Sequence, residues 1–288
     1  MKTKLLLISL LCIGLLSCEK DSKRENDKNS SNNQENVNGE EDENSSSYIK
    51  NGALPGVFSV SDTKQVKFSQ GNLQYQASTN TWRFAENQYD YVGNGNKNIS
   101  STYSGWIDLF GWGTGDNPTN ASENYEDYPT FVDWGVNKIS NGGNRDGMWR
   151  ILTLDEWNYL FNGRDRANAL WGEATINDGF KGLVILPDNW KDINASFVRG
   201  SGNGYDTNKF TFQEWSVMES YGAVFLPAAG ARDGTSMSRV GTYGYCWSST
   251  YSSNDNAYYV GFDSGNLNPS GNYHRYYGRS VRLVQDVE

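Results

Sequence analysis

From Tyr251 to Tyr277 the chain is built mainly of Tyr, Asn, Ser, Asp and Gly and contains no Lys, Glu, Gln, Met or Trp. The chemistry open to such a set is recognition. Tyr offers large, rigid contact area at low entropic cost, while Ser, Asn and Gly offer adaptable hydrogen bonding, the mixture found in binding loops. The candidate ligand contacts are Tyr243, Tyr251, Asn254, Asp255, Asn256, Tyr258, Tyr259, Asp263, Asn266, Asn268, Asn272, Tyr273, His274, Tyr276 and Tyr277. Tyr rings would be the anchors, with Asn and Asp setting hydrogen-bond specificity. A turn-rich loop pair on an ordinary β-rich domain has a similar composition. If the segment is a displayed surface, replacing Tyr258, Tyr259, Tyr276 and Tyr277 by Ala abolishes binding and leaves the melting temperature nearly unchanged.

Residues suited to bond-making are few. His274 is the only His and falls inside the same segment, so a Ser/His/Asp arrangement would rest on one loop residue. Asp155 and Glu156 suit helix capping. Asp108, between Trp106 and Phe110, has the surroundings of a glycosidase carboxylate, but nothing places a second carboxylate opposite it. Calcium needs about six to eight oxygens, and no cluster of that kind is readable. Asn117-Pro118 and Asn268-Pro269 are explained by turn formation. The sequence therefore calls for no catalytic residue, no metal and no cofactor.

The start of the chain fixes its setting. Lys2 and Lys4 precede an apolar run, Leu5 to Leu16, too short to span a bilayer, which reads as a secretory signal. The run ends in Leu15-Leu16-Ser17-Cys18, which resembles the lipobox of bacterial lipoproteins. That resemblance implies a diacylglyceryl group on the Cys18 thiol and a further acyl chain on its freed amine, a stable multi-chain anchor. Ordinary signal-peptidase cleavage would need a small-x-small site, and none stands out. Glu19-Lys20-Asp21 resembles the signal that sends some lipoproteins to the outer face of the outer membrane. Residues 1–17 are thus expected to be the signal peptide. Residues 18–48 are expected to be a disordered polar tether, with Val37 the sole aliphatic residue between Glu19 and Ser47. Membrane contact would be through the lipid alone.

The elements that must position the displayed segment lie in the remaining residues, which hold all ten Trp. A net charge of −9 argues against nucleic acid, which rewards basic stripes. Once Cys12 leaves with the signal and Cys18 is acylated, only Cys246 remains, so no intrachain disulfide or cysteine metal cluster forms. Val57 to Val60, Val66 to Ser69, Asn72 to Tyr75 and Trp82 to Phe84 read as an antiparallel meander. The Gly- and Asn-rich stretch from Gly93 to Asn144 reads as ordered loops pinned by Trp106, Leu109, Phe110, Trp112 and Trp134. Thr153-Leu154-Asp155-Glu156 and Thr211-Phe212-Gln213-Glu214 are capping boxes. Trp157, Leu160 and Phe161 then share one helical face, as do Trp215 and Met218, with Gly163 and Gly222 as stops. Gly182 to Pro187 and Ala223 to Pro227 read as buried strands, each ending in Leu-Pro.

Four strings together resemble a known family: Trp149-Arg150-Ile151-Leu152-Thr153 leading into Glu156-Trp157, then Phe225-Leu226-Pro227-Ala228-Ala229-Gly230-Ala231-Arg232. Gly244-Tyr245-Cys246-Trp247-Ser248-Ser249-Thr250 and Gly278-Arg279-Ser280-Val281-Arg282-Leu283-Val284 complete the set. They are similar to the C-type-lectin-fold domains of the formylglycine-generating-enzyme type, including bacterial major-paralogous-domain lipoproteins. More narrowly, they resemble the variable proteins of diversity-generating retroelements. The resemblance covers roughly Gly147 to Val284 and implies two helices on small twisted antiparallel sheets. The meander before it lies outside the resemblance. The expected fold class is α+β, with this C-type-lectin-like fold preceded by an N-terminal β meander. The expected division is an N-terminal β extension with long loops over 49–146 and a C-type-lectin-like ligand-binding domain over 147–288.

In the retroelement subfamily, displayed codons are mutagenised at adenines. An Asn codon AAC changed at its first two positions can give Asn, Tyr, Asp, Ser, His, Gly, Arg or Cys, but not Lys, Glu, Gln, Met or Trp, the types missing here. Two positions depart from the family. Cys246 precedes Trp247 where an aromatic or another small residue is usual, and Arg279 stands where an apolar or aromatic residue is common. The enzymatic branch of the fold oxidises a substrate cysteine and needs cysteines of its own, so with Cys246 alone that activity is not expected. The implied function is a non-enzymatic, surface-tethered binder of a protein or glycan ligand. Alternatives are a structural or adhesive surface subunit, or a glycan-capture accessory of a polysaccharide uptake system.

Overall fold

The computed structural model describes residues 48–191, 197–200, 202–253 and 255–287. Cys18 and Asn254 lie outside the described residues, as do the expected signal peptide and the tether up to residue 47. Among the described residues no helix is long and apolar enough to cross a membrane. The fold is mixed α+β, made of several small, mostly antiparallel sheets and two short α-helices.

The four strands expected as one meander are two separate hairpins. Phe58–Ser59 pairs with Gln65–Phe68 across a turn in which the Thr63 and Lys64 amides donate to the Ser61 hydroxyl at 3.2 and 3.0 Å. Leu73–Gln76 pairs with Thr81–Phe84. The C-terminal segment separates them. Gln65–Phe68 takes Leu283–Asp286 as its second neighbour, and that strand also pairs with Arg150–Ile151. The Leu73 amide meanwhile donates to the Val281 carbonyl at 2.9 Å, and the second hairpin adds Trp106–Ile107. Residues near both ends of the described chain therefore share one sheet, and the N-terminal hairpins are not an appended layer.

Both helices start where their caps dictate. Helix α1, Leu154–Asn158, opens with the Thr153 hydroxyl accepting from the Glu156 amide at 3.1 Å and the Glu156 carboxylate accepting from the Thr153 amide at 2.9 Å. Arg150 clasps the same carboxylate through two contacts of 2.8 Å. Helix α1 then passes into a π turn, Tyr159–Gly163, and the Trp157 and Phe161 rings stack 9° from parallel. Helix α2, Phe212–Ser220, repeats the box with Thr211 and Glu214 and buries Trp215 and Met218. It stops at Gly222, whose φ of +94° suits glycine and whose added Cβ would lie 2.4 Å from the Gly56 Cα. The two Leu-Pro strands are neighbours: Val224–Pro227 pairs antiparallel with Phe180–Ile185, and Trp171–Ile176 lies on the far side of the latter.

Tryptophans pin the long loops to this frame through their indole N–H groups. Trp247 donates to the Phe110 carbonyl at 2.7 Å, Trp112 to Ser248 at 2.9 Å and Trp149 to Gly142 at 2.8 Å. Each bond satisfies a buried donor while its ring fills the core, which is how a loop-rich region becomes ordered. Trp106 alone among the expected pins is half-buried, stacked under the Arg83 guanidinium at 3.9 Å.

Candidate ligand-binding face and its tyrosine pocket

Most of the Tyr/Asn segment is strand. Gly244–Tyr251, Asn256–Phe262 and Leu267–His274 form a three-stranded antiparallel sheet. Side chains alternate between the faces of a sheet, and directly paired residues share a face. Trp247, Tyr259 and Gly271 are paired, as are Ala257 with Tyr273 and Tyr245 with Gly261. The opposite face carries Cys246, Val260 and Phe262 into the core with Trp157. Tyr258 and Asn272, register partners, belong to that second set. Tyr258 and Tyr259 are adjacent in sequence, yet they serve opposite faces.

The first face carries the pocket. The segment after the last strand doubles back so that the Arg279 amide and carbonyl both bond to Phe110 at 3.0 Å, while the Ser280 carbonyl accepts from the Trp247 amide at 3.1 Å. This sets the Arg279 side chain beneath the tyrosines. Its guanidinium carbon lies 3.7 Å from the Tyr259 ring centre, 4.5 Å from Tyr245 and 4.9 Å from Trp247. Above it opens a cavity of about 380 Å³, lined by Ala231, Ser238, Arg239, Tyr245, Tyr259, Tyr273, Tyr277 and Arg279. Gly271 makes room for the wall, since a Cβ there would meet the Tyr259 ring at 2.7 Å. At the rim, Arg239 donates to the Tyr245 hydroxyl at 2.7 Å and lies over the Tyr243 ring at 4.5 Å.

Burial dominates the electrostatics. Arg279 is 3% exposed, and loss of solvent pushes its guanidinium down to about 10, opposed by the nearby Tyr259, Tyr245 and Tyr277 hydroxyls. Its Nε and Nη1 donors have no hydrogen-bond partner. Burial, reinforced by the Asp233 carboxylate, pushes the Tyr277 hydroxyl up to about 12, so it stays a neutral donor.

Of the expected contacts, Tyr259, Tyr273 and Tyr277 thus meet at one cavity. Tyr276 and His274 extend its aromatic edge: His274 stacks on Tyr276 at 5.1 Å, and Tyr276 lies 5.1 Å from Tyr277. Tyr243, Asp263 and Asn266 line a different depression, with Lys181, Tyr205 and Thr242. There the Asp263 carboxylate accepts from the Gly265 amide at 2.9 Å and the Asn266 amide group at 3.1 Å, closing a turn. Asp255 sits at a hairpin tip, accepting from the Ser253 hydroxyl at 2.9 Å, with His274 Nδ1 at 3.6 Å. Asn256 pairs with His274 in the sheet. Asn268 is an exposed residue of the last strand, paired with Gly261, and its side chain accepts from the Ser270 amide at 3.0 Å. Tyr251 is exposed beside Trp112, and Asn272 is exposed on its own face.

The sequence reading left out Tyr245, Arg239, Ser238 and Arg279. Tyr245 and Arg279 sit in strings taken as framework, and Arg279 entered only as a departure from an apolar pattern. The parity of Tyr245 with Trp247, two residues apart, was the available signal for the first.

Two residues weighed for chemistry have other roles. Asp108 is fully buried, and its carboxylate accepts from the Val92 amide and the Asn96 side chain, each at 2.7 Å. It fixes a loop inside the core instead of facing a cleft. Cys246 is also buried, and burial pushes its thiol up to about 12, which keeps it protonated and inert.

A family model described as a domain of unknown function (DUF8237) matches residues 206–284. That stretch runs from just before α2 through the three-stranded sheet to Val284, and every residue lining the tyrosine cavity falls inside it. No curated protein and no solved structure matches the chain.

Proposed function

We propose that this chain is a surface-tethered, non-enzymatic binding lipoprotein with a C-type-lectin-like domain, whose ligand seats on the face formed by Tyr245, Tyr259, Tyr273 and Tyr277. The observation that carries this reading is the cavity itself: aromatic walls around a buried, underbonded cation, on a sheet whose exposed residues are Tyr, Asn and Ser. Small-ligand sites are concave, largely aromatic or apolar, and carry a few placed polar groups. Two capped helices on small antiparallel sheets support the lectin-like assignment, and the composition of Tyr251 to Tyr277 supports diversification at adenines. The buried, protonated state of Cys246 and the enclosure of Asp108 favour binding over catalysis.

The test is a screen of the full chain on immobilised glycans and proteins, run beside a Tyr273→Ala/Tyr277→Ala double variant. The reading expects at least one ligand held by the native chain and lost by the variant at unchanged melting temperature. Undiminished binding by the variant would contradict it.

A further inference from the structure

Four arginines among the described residues, Arg164, Arg232, Arg279 and Arg282, are 3% exposed or less, and comparing them isolates one. Arg164 donates to the Leu160 carbonyl at 2.7 Å and to the Leu186 carbonyl and the Asp188 carboxylate at 3.0 Å. Arg232 donates to the carbonyls of Gly234 at 2.6 Å and of Leu109 and Asn120 at 3.3 Å. Arg282 reaches the Gln88 side chain, the Phe225 carbonyl at 3.4 Å and the Asn72 side chain at 3.5 Å. These three side chains are structural ties between segments. Arg279 is the fourth: its side chain hydrogen-bonds with Tyr259, and its Nε and Nη1 have no hydrogen-bond partner. Among the described residues no carboxylate forms an ion pair with it. Leaving two donors of a buried cation unbonded is expensive, and cation–π contacts, worth about 2 kcal/mol or more when desolvated, recover only part of that cost. Of the four, Arg279 is the one that lines the tyrosine cavity.

From this we infer that the tyrosine pocket takes the carboxylate of an acidic sugar ring, a hexuronate, with Arg279 as its counter-ion. The inference rests on the binding reading above and specifies its ligand. A guanidinium is a planar fork that meets a carboxylate through parallel charge-assisted bonds, which gives such pairs their strength and their orientation. The cavity lining holds two cations, Arg239 and Arg279, and no Asp or Glu. Its hydroxyls come from Ser238, Tyr245, Tyr259, Tyr273 and Tyr277, a set matched to a polyhydroxylated ring. Flat phenol faces suit the C–H faces of such a ring. A peptide carboxylate fits less well, because Ala231 is the only aliphatic residue in the lining and nothing waits for an aliphatic side chain.

Ligand-observed NMR on the full chain tests this with four probes: D-glucuronate, its neutral methyl ester, D-glucose and benzoate. Glucuronate is expected to bind, with the ester and glucose weaker by roughly tenfold or more, the loss of one charge-assisted pair. Benzoate, which keeps the carboxylate and a ring but lacks hydroxyls, is expected to bind more weakly than glucuronate. Arg279→Lys keeps the charge but loses the fork, so it should lose glucuronate by a similar factor. Should that variant fail to fold, Tyr273→Ala, at an exposed wall position, is expected to weaken glucuronate at unchanged melting temperature. Equal binding of acid and ester, or no binding of glucuronate, would overturn the inference. Benzoate binding as well as glucuronate would overturn the sugar assignment. If glucuronate fails while the array screen yields a ligand lost on Tyr273→Ala/Tyr277→Ala, only the acidic-sugar inference falls; if both fail, the binding reading falls with it.

Discussion

The Arg279 guanidinium carbon lies 3.7 Å from the centre of the Tyr259 ring, and Trp247 packs edge-on against the same ring with centroids 6.1 Å apart. Tyr259 is therefore both a wall of the pocket and part of the core that holds the pocket's floor. This divides the tyrosines of the displayed segment into two kinds, which the sequence could not distinguish.

Their stabilities should differ accordingly. Tyr259→Ala removes a ring packed between a buried cation and a buried indole, and is expected to cost about 2 kcal/mol by analogy with aromatic truncations in cores. Tyr273 is 43% exposed, so Tyr273→Ala should stay within about 0.5 kcal/mol of the native chain. Urea denaturation of the two variants decides. Equal stabilities would mean that the Tyr259 ring does not support the floor.

Asp108 gives a pH dependence with a definite sign. Burial pushes its carboxyl up to about 6, against the hydrogen bonds from Val92 and Asn96. An acid raised in the folded state binds more protons folded than unfolded between about pH 4 and pH 6. Its stabilising contribution is full below about pH 4 and lost as pH rises through about 6, at no more than about 1.4 kcal/mol per pH unit. The Asp108 carboxyl carbon should titrate near 6 by NMR. The stability of the native chain relative to Asp108→Asn should fall over the same window. A midpoint near the ordinary carboxylate value would contradict the enclosure.

The lipid anchor is tested separately from the fold. In a bacterial host, the full chain should incorporate labelled palmitate and fractionate with membranes. Cys18→Ala should lose the label and leave the membrane fraction. An unlabelled native chain would return the segment to ordinary signal-peptidase cleavage.

What the sequence reveals here tracks the range of the interactions involved. The capping boxes at Thr153 and Thr211 close over three residues, so both helix starts are readable from local order alone. Indole pins such as Trp112 to Ser248 are foreshadowed by Trp in loops, although their carbonyl partners are not. The pocket depends on strand register and on a crossing segment that brings Arg279 against Phe110, more than 160 residues away. Composition pointed to a segment that contributes Tyr259, Tyr273 and Tyr277 to the cavity, but it could not show that alternate residues face opposite ways. Nor could it show that the Leu283–Asp286 strand would separate the expected meander into two hairpins.

The most direct measurement compares two exposed tyrosines of one segment against the ligand recovered from the array. Tyr273 lines the pocket, whereas Tyr251 lies beside Trp112, outside the pocket's lining. The account predicts that Tyr273→Ala weakens binding by roughly tenfold or more, as truncation of an anchor does, and that Tyr251→Ala leaves affinity within about twofold. Equal losses from both variants, or a loss confined to Tyr251→Ala, would contradict the assignment of the pocket as the binding centre.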